Sequence, residues 1–518
     1  MINVRRFFTT LTTCTLNYCR QRLTWPLALI LGLTWPLAFP PHRAWYLAII
    51  NLVALSFLLE LSDTHGHRSS TFLIWTMTSL AGLYGGLSYS VHHYGGAPWS
   101  ITVILLILAA FLVALCPLFF SRLLDRLKQK LNTPLLFAAL LTPLIWVLTE
   151  KVLSIILQGE WISASYSQLD SPLANWATLI GSYGLSFLTV QSGQLIKYCL
   201  AKWRVKSPLA TKTSVNCLIY FMVLWLVPHL TPFKPRSVTS QYPLYSHLIQ
   251  LALTPDQKWQ NYGDSGLFKR YLEISELATN QLPKSEGEGE TLLVWPEAAV
   301  PTLADMLESD HQNWQEDLAK EQITLVTGTM YRNKPRQETH NSLMVFSLSA
   351  GRYDKRQLLM FGEYVPLKRL LAPLLTWLPF GDLDPGHKAP LLPLAHHQAV
   401  VAICSELTRA APLAIDWPHS DLIIAVGDDG WFGPTQIGYF HLAVARMRSL
   451  ELGLPQLWLN NYGPSAWINA TGKLQRFAKQ GEPAIISFGW RPERRLTAYG
   501  RLLYLFNRKL GVNRSPEP

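Results

Sequence analysis

Hydrophobic and polar positions divide the chain near residue 230. Before that point, long apolar runs recur at 23–39, 45–61, 71–91, 99–120, 134–157, 173–196 and 214–230. Each is about 17–24 residues long, near the length an α-helix needs to cross a bilayer. Several contain Pro or Gly, which membrane helices tolerate when neighbouring helices satisfy the backbone. Seven spans over residues 1–230 are therefore predicted. Beyond them the pattern changes to short β-rich runs at 245–253, 291–295, 323–329, 342–348, 400–404, 422–426, 456–460 and 484–488. Helical periodicity over 265–278 and 437–452 lies between them. Such alternation predicts an α/β domain over 245–490. A Pro-rich linker at 231–244 joins the two halves, and a basic tail occupies 491–518.

Charge placement orients the apolar half. Arg5, Arg6, Arg20 and Arg22 precede the first run, and no small-residue cleavage site follows it, so a retained anchor is expected and not a signal peptide. The connection after the fourth run holds Arg122, Arg126, Lys128 and Lys130. The one after the sixth holds Lys197, Lys202, Arg204, Lys206 and Lys212. Residues 91–99 and 159–175 contain no Lys or Arg. The alternation obeys the positive-inside rule and places everything after Leu230 on the outer face. The net charge of +11 thus reads as cytoplasmic loops and not as a nucleic-acid groove. Between Arg491 and Lys509 seven charged residues leave only Leu502–Phe506 apolar, so no eighth span is predicted.

Candidate chemistry sits in the second half. No CxxC, HExxH, P-loop or GxGxxG motif occurs, and no metal ligand set or cofactor is indicated. Of six cysteines only Cys404 lies beyond residue 230. It ends the apolar run His397–Ile403 and is followed two residues later by Glu406. Taken alone it reads as a buried core cysteine. At a strand end, however, a thiol can face a cleft where a nearby cation could hold it as thiolate. Leu292–Val294 leads through Trp295-Pro296 to Glu297, and Lys355 opens a segment running to Phe361-Gly362-Glu363. Either charge alone is an ordinary surface residue.

Together, Glu297, Lys355 and Cys404, with spacings of 58 and 49 residues, resemble the nitrilase superfamily over about 245–490. The matching motifs are Pro-Glu after a strand, Lys followed eight residues later by Phe-Gly-Glu, and Cys-x-Glu after a strand. The upstream spans narrow the resemblance to the apolipoprotein N-acyltransferase family. Tyr166–Leu173, Gly181–Leu188, Gly32–Pro41 with Trp45, Lys258-Trp259, Trp431–Gly433 and Arg446–Gly453 are similar to its signatures. The resemblance implies a polytopic helical membrane domain followed by an αββα sandwich, in the bacterial inner membrane with the catalytic domain periplasmic. It implies transfer of a phospholipid acyl chain, from phosphatidylethanolamine, through a Cys404 thioester to the α-amine of a diacylglyceryl-cysteine lipoprotein. Glu297 would be the general base. Lys355 and the Ser405 N–H would stabilise the oxyanion. Glu363 would place the acceptor amine, and Glu406 would orient Lys355 or a neighbour. Trp259, Phe361 and Trp431 are the expected substrate contacts. No metal, cofactor or nucleic acid is implied.

The chain departs from the family pattern at Ser405, Met360, Asp428-Asp429-Gly430-Trp431 and Asn460-Asn461-Tyr462-Gly463-Pro464, and in lacking an eighth span. A specialised paralogue, a membrane-tethered amidase and a non-catalytic lipoprotein-binding protein are the competing readings. The Glu-Lys-Cys set would serve the amidase equally, whereas a soluble substrate needs no membrane half.

Overall fold

The structure is a computed structural model that describes residues 23–63, 66–131, 135–203, 208–230, 235–258, 263–280, 289–303, 316, 318, 320–346, 351–366, 382–388 and 391–510. Seven long helices occupy the apolar half among these residues: α1 (Leu23–Ala38), α2 (Tyr46–Asp63), α3 (Arg68–Tyr84), α4 (Trp99–Leu131), α5 (Leu135–Ile156), α6 (Ala177–Trp203) and α7 (Pro208–Leu226). Two of them, over Tyr46–Asp63 and Trp99–Lys130, are long and apolar enough to cross a membrane by themselves. Two of the others are interrupted locally. α3 is a 17-residue helix that begins Arg68-Ser69-Ser70-Thr71. It ends at Gly85-Gly86, so the expected run to residue 91 is broken and a π-helical turn at Ser90–Tyr94 follows. α6 is kinked at Gly181, whose φ of 67° is open to glycine. The Tyr499 ring occupies the space where a Cβ would stand.

The second half is a sandwich of two sheets. One runs β13-β12-β11-β10-β9-β8 and the other β14-β2-β3-β5-β6-β7, with β4 against β5. The strands are β2 (Leu244–Gln250), β3 (Glu290–Val294), β4 (Val300–Leu303), β5 (Ile323–Asn333), β6 (Glu338–Phe346), β7 (Gly351–Asp354), β8 (Leu392–Pro393), β9 (Gln398–Ile403), β10 (Leu422–Gly427), β11 (Gln456–Asn460), β12 (Ser465–Ile468), β13 (Leu474–Ala478) and β14 (Ala484–Trp490). Alternate residues explain the continuous apolar runs. Leu292 and Val294 of β3 meet Val401, Ile403, Ile424 and Val426 between the sheets. Leu293 and Trp295 turn outward under Leu267 and Tyr271 of α8 (Gly263–Thr279). Ile423, Ala425 and Trp458 pack outward beneath α9 (Ile437–Leu452). A strand buried on both faces has no polar side to show. The layers are α8, sheet, sheet, α9.

α9 also faces the helical half, and residues from both halves share one buried cluster that includes Trp35, Phe39, Trp75, Leu185, Phe440 and Leu450. Ion pairs stitch the same junction. Arg446 reaches Asp170, while Arg448 lies 3.1 Å from Glu160 and 3.2 Å from Glu451. The expected linker is not without structure. β1 (Arg236–Thr239) pairs antiparallel with β15 (Glu493–Leu496) as a separate two-stranded ribbon, so the segments entering and leaving the sandwich pair with each other. After β15 the tail forms α10 (Ala498–Lys509), a 12-residue helix.

Candidate active site

Three strand ends converge. β9 and β10 are parallel with Ile403 opposite Val426, so Cys404 and Asp428 leave the sheet at the same edge. Cys404 has a φ of 52° and opens a 3₁₀ turn, Cys404–Thr408. A left-handed conformation at a residue with a Cβ costs about 1–3 kcal/mol and persists only where neighbours impose it. Glu406 supplies that constraint. Its carboxylate accepts from the Ile403 N–H at 2.9 Å and from the Arg356 and Gln357 N–H groups at 2.8 and 3.2 Å. The Tyr353 hydroxyl donates to it at 2.9 Å. One buried carboxylate thus fastens the Cys404 turn to the segment carrying Lys355. Glu406 is expected from the sequence to orient Lys355 or a neighbour; its backbone hydrogen bonds go to the N–H just before Cys404 and to the two that follow Lys355.

Glu297 leaves β3 through a tight turn, with Ala298 at φ 47°. Gly328 of β5 lets that turn lie close: its N–H donates to the Pro296 carbonyl at 3.2 Å. A Cβ there would stand 2.5 Å from that oxygen and 2.7 Å from the Glu297 Cα. Lys355 follows β7, and its N–H donates to the Asn341 carbonyl at 2.8 Å. Its ammonium, 1% exposed, lies 2.9 Å from Glu363 and 3.5 Å from Glu297 Oε1. Asn341 Nδ2 bridges the carboxylates, donating to Glu297 at 2.7 Å and to Glu363 at 3.0 Å. Leu359 N–H holds the other Glu363 oxygen at 2.8 Å.

Charge is unevenly shared. Burial pushes the Lys355 ammonium down, but Glu363, Glu297 and Cys404 together outweigh burial and hold it well above its ordinary range. Glu363 pays the same burial penalty, yet Lys355 and its hydrogen bonds keep it below the usual carboxylate range. Glu297 is held above that range by burial, with Glu363 adding to the rise and Lys355 opposing it. Burial and Glu297 also push the Cys404 thiol well up, against Lys355. A lysine already matched by two carboxylates cannot keep a resting thiolate. The arrangement stores a thiol beside a carboxylate of raised pKa, a pair suited to proton exchange on demand.

That coupling gives a pH prediction. If Glu297 takes the thiol proton it must be ionised, so the rate of Cys404 modification is expected to fall as pH drops through a pKa above the ordinary carboxylate range. Asn341→Leu removes a donor that favours the carboxylate, so the acid limb moves further up. A limb that stays in place in the pH–rate profile would sink this assignment.

Other expected residues fall nearby. Ser405 is buried, and its hydroxyl donates to the Gln357 carbonyl at 3.4 Å. Phe361, at φ 59°, is exposed on the turn between Leu359 and Tyr364. Trp431 is exposed in the 3₁₀ turn Asp429–Phe432, its ring 5.0 Å from Tyr94. Trp259 lies outside the described residues. Lys258, its neighbour, forms a buried pair with Asp428 at 2.5 Å and donates to the Ala298 carbonyl at 3.3 Å, bracing the Glu297 turn. Asn341, Gly328 and Tyr353 match no motif, and only Asn341 is marked locally. The polar Asn341-Ser342 pair inside an apolar strand was the available cue.

The helical half touches this site directly. Tyr364 donates to the Gln158 side chain at 2.8 Å, Arg409 donates to the Gln158 carbonyl at 2.9 Å, and Glu160 N–H donates to the Thr408 carbonyl. Two family descriptions match the two halves: the apolipoprotein N-acyltransferase N-terminal domain over residues 31–195 and the carbon-nitrogen hydrolases over 249–488. Apolipoprotein N-acyltransferase of Haemophilus influenzae is 28% identical, covering 94% of this chain and 93% of its own. The Pseudomonas putida enzyme of that name is 31% identical, covering 92% and 93%. Among solved structures, Saccharomyces cerevisiae Nit3, a member of branch 10 of the nitrilase superfamily, covers 53% of this chain and 97% of its own at 16% identity and TM-score 0.36. Matched along both halves, the chain belongs to the apolipoprotein N-acyltransferase family.

Proposed function

We propose that Glu297, Lys355 and Cys404 carry a two-step acyl transfer in lipoprotein maturation. Glu297 takes the Cys404 proton as sulfur attacks an ester carbonyl of a phospholipid, with phosphatidylethanolamine the proposed donor. Lys355 and the Ser405 N–H face the developing oxyanion. The ester C–O bond breaks, the lysophospholipid oxygen leaves with the proton from Glu297, and a thioester remains on Cys404. The α-amine of a diacylglyceryl-cysteine then attacks that carbonyl. The C–S bond breaks and the amine loses a proton through Glu297, which restores the thiol and leaves an amide. The thioester keeps the acyl group activated, so the exchange balances without a further reactant. Glu363, tied to Lys355 and Asn341, holds the lysine in place and lies near enough to steer the amine. The observation that carries this reading is the buried Glu297–Lys355–Glu363–Asn341 network beside Cys404.

The test supplies purified, phospholipid-charged protein with a diacylated peptide. A free α-amine should yield a triacylated amide, and an N-acetylated peptide should yield none. Discharge only to water would establish a tethered hydrolase instead.

The reading includes seven spans in the inner membrane with the catalytic half outside. Its support is the basic residues near the ends of α4 and α6 and their absence over 159–175. α4, with 33 residues, would be about 50 Å long at 1.5 Å per residue, longer than the hydrocarbon core. Reporter fusions after Lys130 and Lys206 should read cytoplasmic, and fusions after Gly95 and Pro235 periplasmic. A cytoplasmic reading after Pro235 would overturn the topology.

A further inference from the structure

α10 has two different apolar faces. The inner one is anchored in the fold. Tyr499 fills the notch at Gly181 of α6, Leu503 and Tyr504 pack against the shared core, and Asn507 donates to the Ala411 carbonyl at 2.6 Å. Thr497 caps the first turn by accepting from the Gly500 N–H and donates to the Glu451 carbonyl at 2.7 Å. The outer face carries Leu502, Leu505 and Phe506, exposed by 59%, 49% and 56%. At about 100° per residue these three fall within one arc of roughly 100°, on the side away from Tyr504 and Asn507. Arg501 and Arg508 flank the arc on one side, and Lys509 falls within it in the last turn. No acidic residue occurs between Arg494 and Leu510.

We propose that α10 lies in the plane of the membrane surface as an interfacial helix, with Leu502, Leu505 and Phe506 among acyl chains and Arg501 and Arg508 at the phosphates. This rests on the reading above that places the C-terminal end of α5 and the N-terminal end of α6 at the outer face. Three observations select a lipid surface as the occupant. Apolar exposure is not confined to α10: Ile180, next to the Gly181 notch, and Ile155 and Ile156 at the end of α5 are also exposed. The flanking charges are all positive, complementary to lipid phosphates. Twelve residues give a helix about 18 Å long, too short to cross the ~30 Å hydrocarbon core. The helix also grips Ala411, seven residues beyond Cys404, so its seat on the bilayer sets the height of the nucleophile turn above the lipid esters.

The full chain, carrying p-benzoylphenylalanine in place of Leu502, Leu505 or Phe506, is reconstituted in nanodiscs of phosphatidylethanolamine and phosphatidylglycerol and irradiated. Phospholipid adducts are expected at all three positions, at least about tenfold above the same probe at the exposed hairpin residue Arg336, as an inserted face requires. Tandem mass spectrometry should place the new bond on acyl carbons near the ester. Adducts at the chain terminus would mean a deeper, spanning helix. Adducts to a second polypeptide would mean a protein-binding face. No adduct would mean a solvated one. Each of these three results overturns the proposal. The readout needs no catalysis and the reporter fusions test topology separately, so a failure here leaves the acyl-transfer reading standing.

Discussion

Purified protein incubated with phosphatidylethanolamine is expected to gain one fatty-acyl mass on Cys404 before any acceptor is added. The adduct should be released by neutral hydroxylamine, as a thioester is. Cys404→Ala should abolish it. Glu297→Gln keeps the shape of the side chain and its contact with Asn341 while removing the base. It should slow adduct formation by about two to four orders of magnitude, the usual worth of a general base. The raised thiol sharpens this expectation: a cysteine that burial and Glu297 hold protonated has little reactivity of its own. If Glu297→Gln acylates at the native rate, the thiol has another proton acceptor. If native protein yields acylated peptide without ever carrying the adduct, transfer is direct and the thioester step is wrong.

The second large effect belongs to Lys355. Lys355→Met leaves Glu297 and Glu363 buried, bridged by Asn341, with no cation between them. Removing one partner of a buried charge pair costs about 3–5 kcal/mol. Loss of an oxyanion donor costs about 10²–10³ in rate. The pH dependence separates the two causes. Without the lysine, burial and mutual repulsion hold the folded-state pKa values of the carboxylates above their unfolded values. The penalty is then absent below the unfolded pKa and grows as pH rises towards the folded ones. The variant's loss of thermal stability should therefore shrink towards pH 4 and be largest near neutrality. Lys355→Met with Glu363→Gln should regain stability but not acylation. A deficit independent of pH would mean that packing, not charge, is what Lys355 supplies.

How much of this was legible in the sequence depended on whether a residue's reason is local. β10 and β11 were located within a residue because strands buried on both faces are unbroken apolar runs. α9 was located from its helical periodicity, although packing on both sides buries Arg446, Arg448 and Glu451 as well. Glu297 and Cys404 each follow such a strand, whereas Lys355 follows the short polar strand β7 and is marked by the Phe361-Gly362-Glu363 that comes after it. The β1–β15 ribbon could not: Arg236–Thr239 and Glu493–Leu496 are polar edge segments that become strands only by finding each other across the fold. Tyr353 is likewise invisible, since its partner Glu406 is far away in sequence, and Asn341 stands out only as a polar residue in an apolar strand. The apolar runs alone also did not place the end of α3. Glycine breaks and hydroxyl-rich turns, as at Gly85-Gly86 and Arg68–Thr71, are minor interruptions to a hydropathy pattern but define where a helix stops.

The seam between the halves restricts how this protein can change. Arg448 is fully buried between Glu160, contributed by the helical half, and Glu451 of its own helix, while Glu451 accepts from the Ser182 N–H. Replacing any one of these strands a charge where no water can reach it. A chimera that joins this helical half to a relative's catalytic half should fail unless Glu160, Arg448 and Glu451 travel as a set. Inheritance at this seam is therefore collective: the two halves are separate in architecture but cannot drift apart one residue at a time.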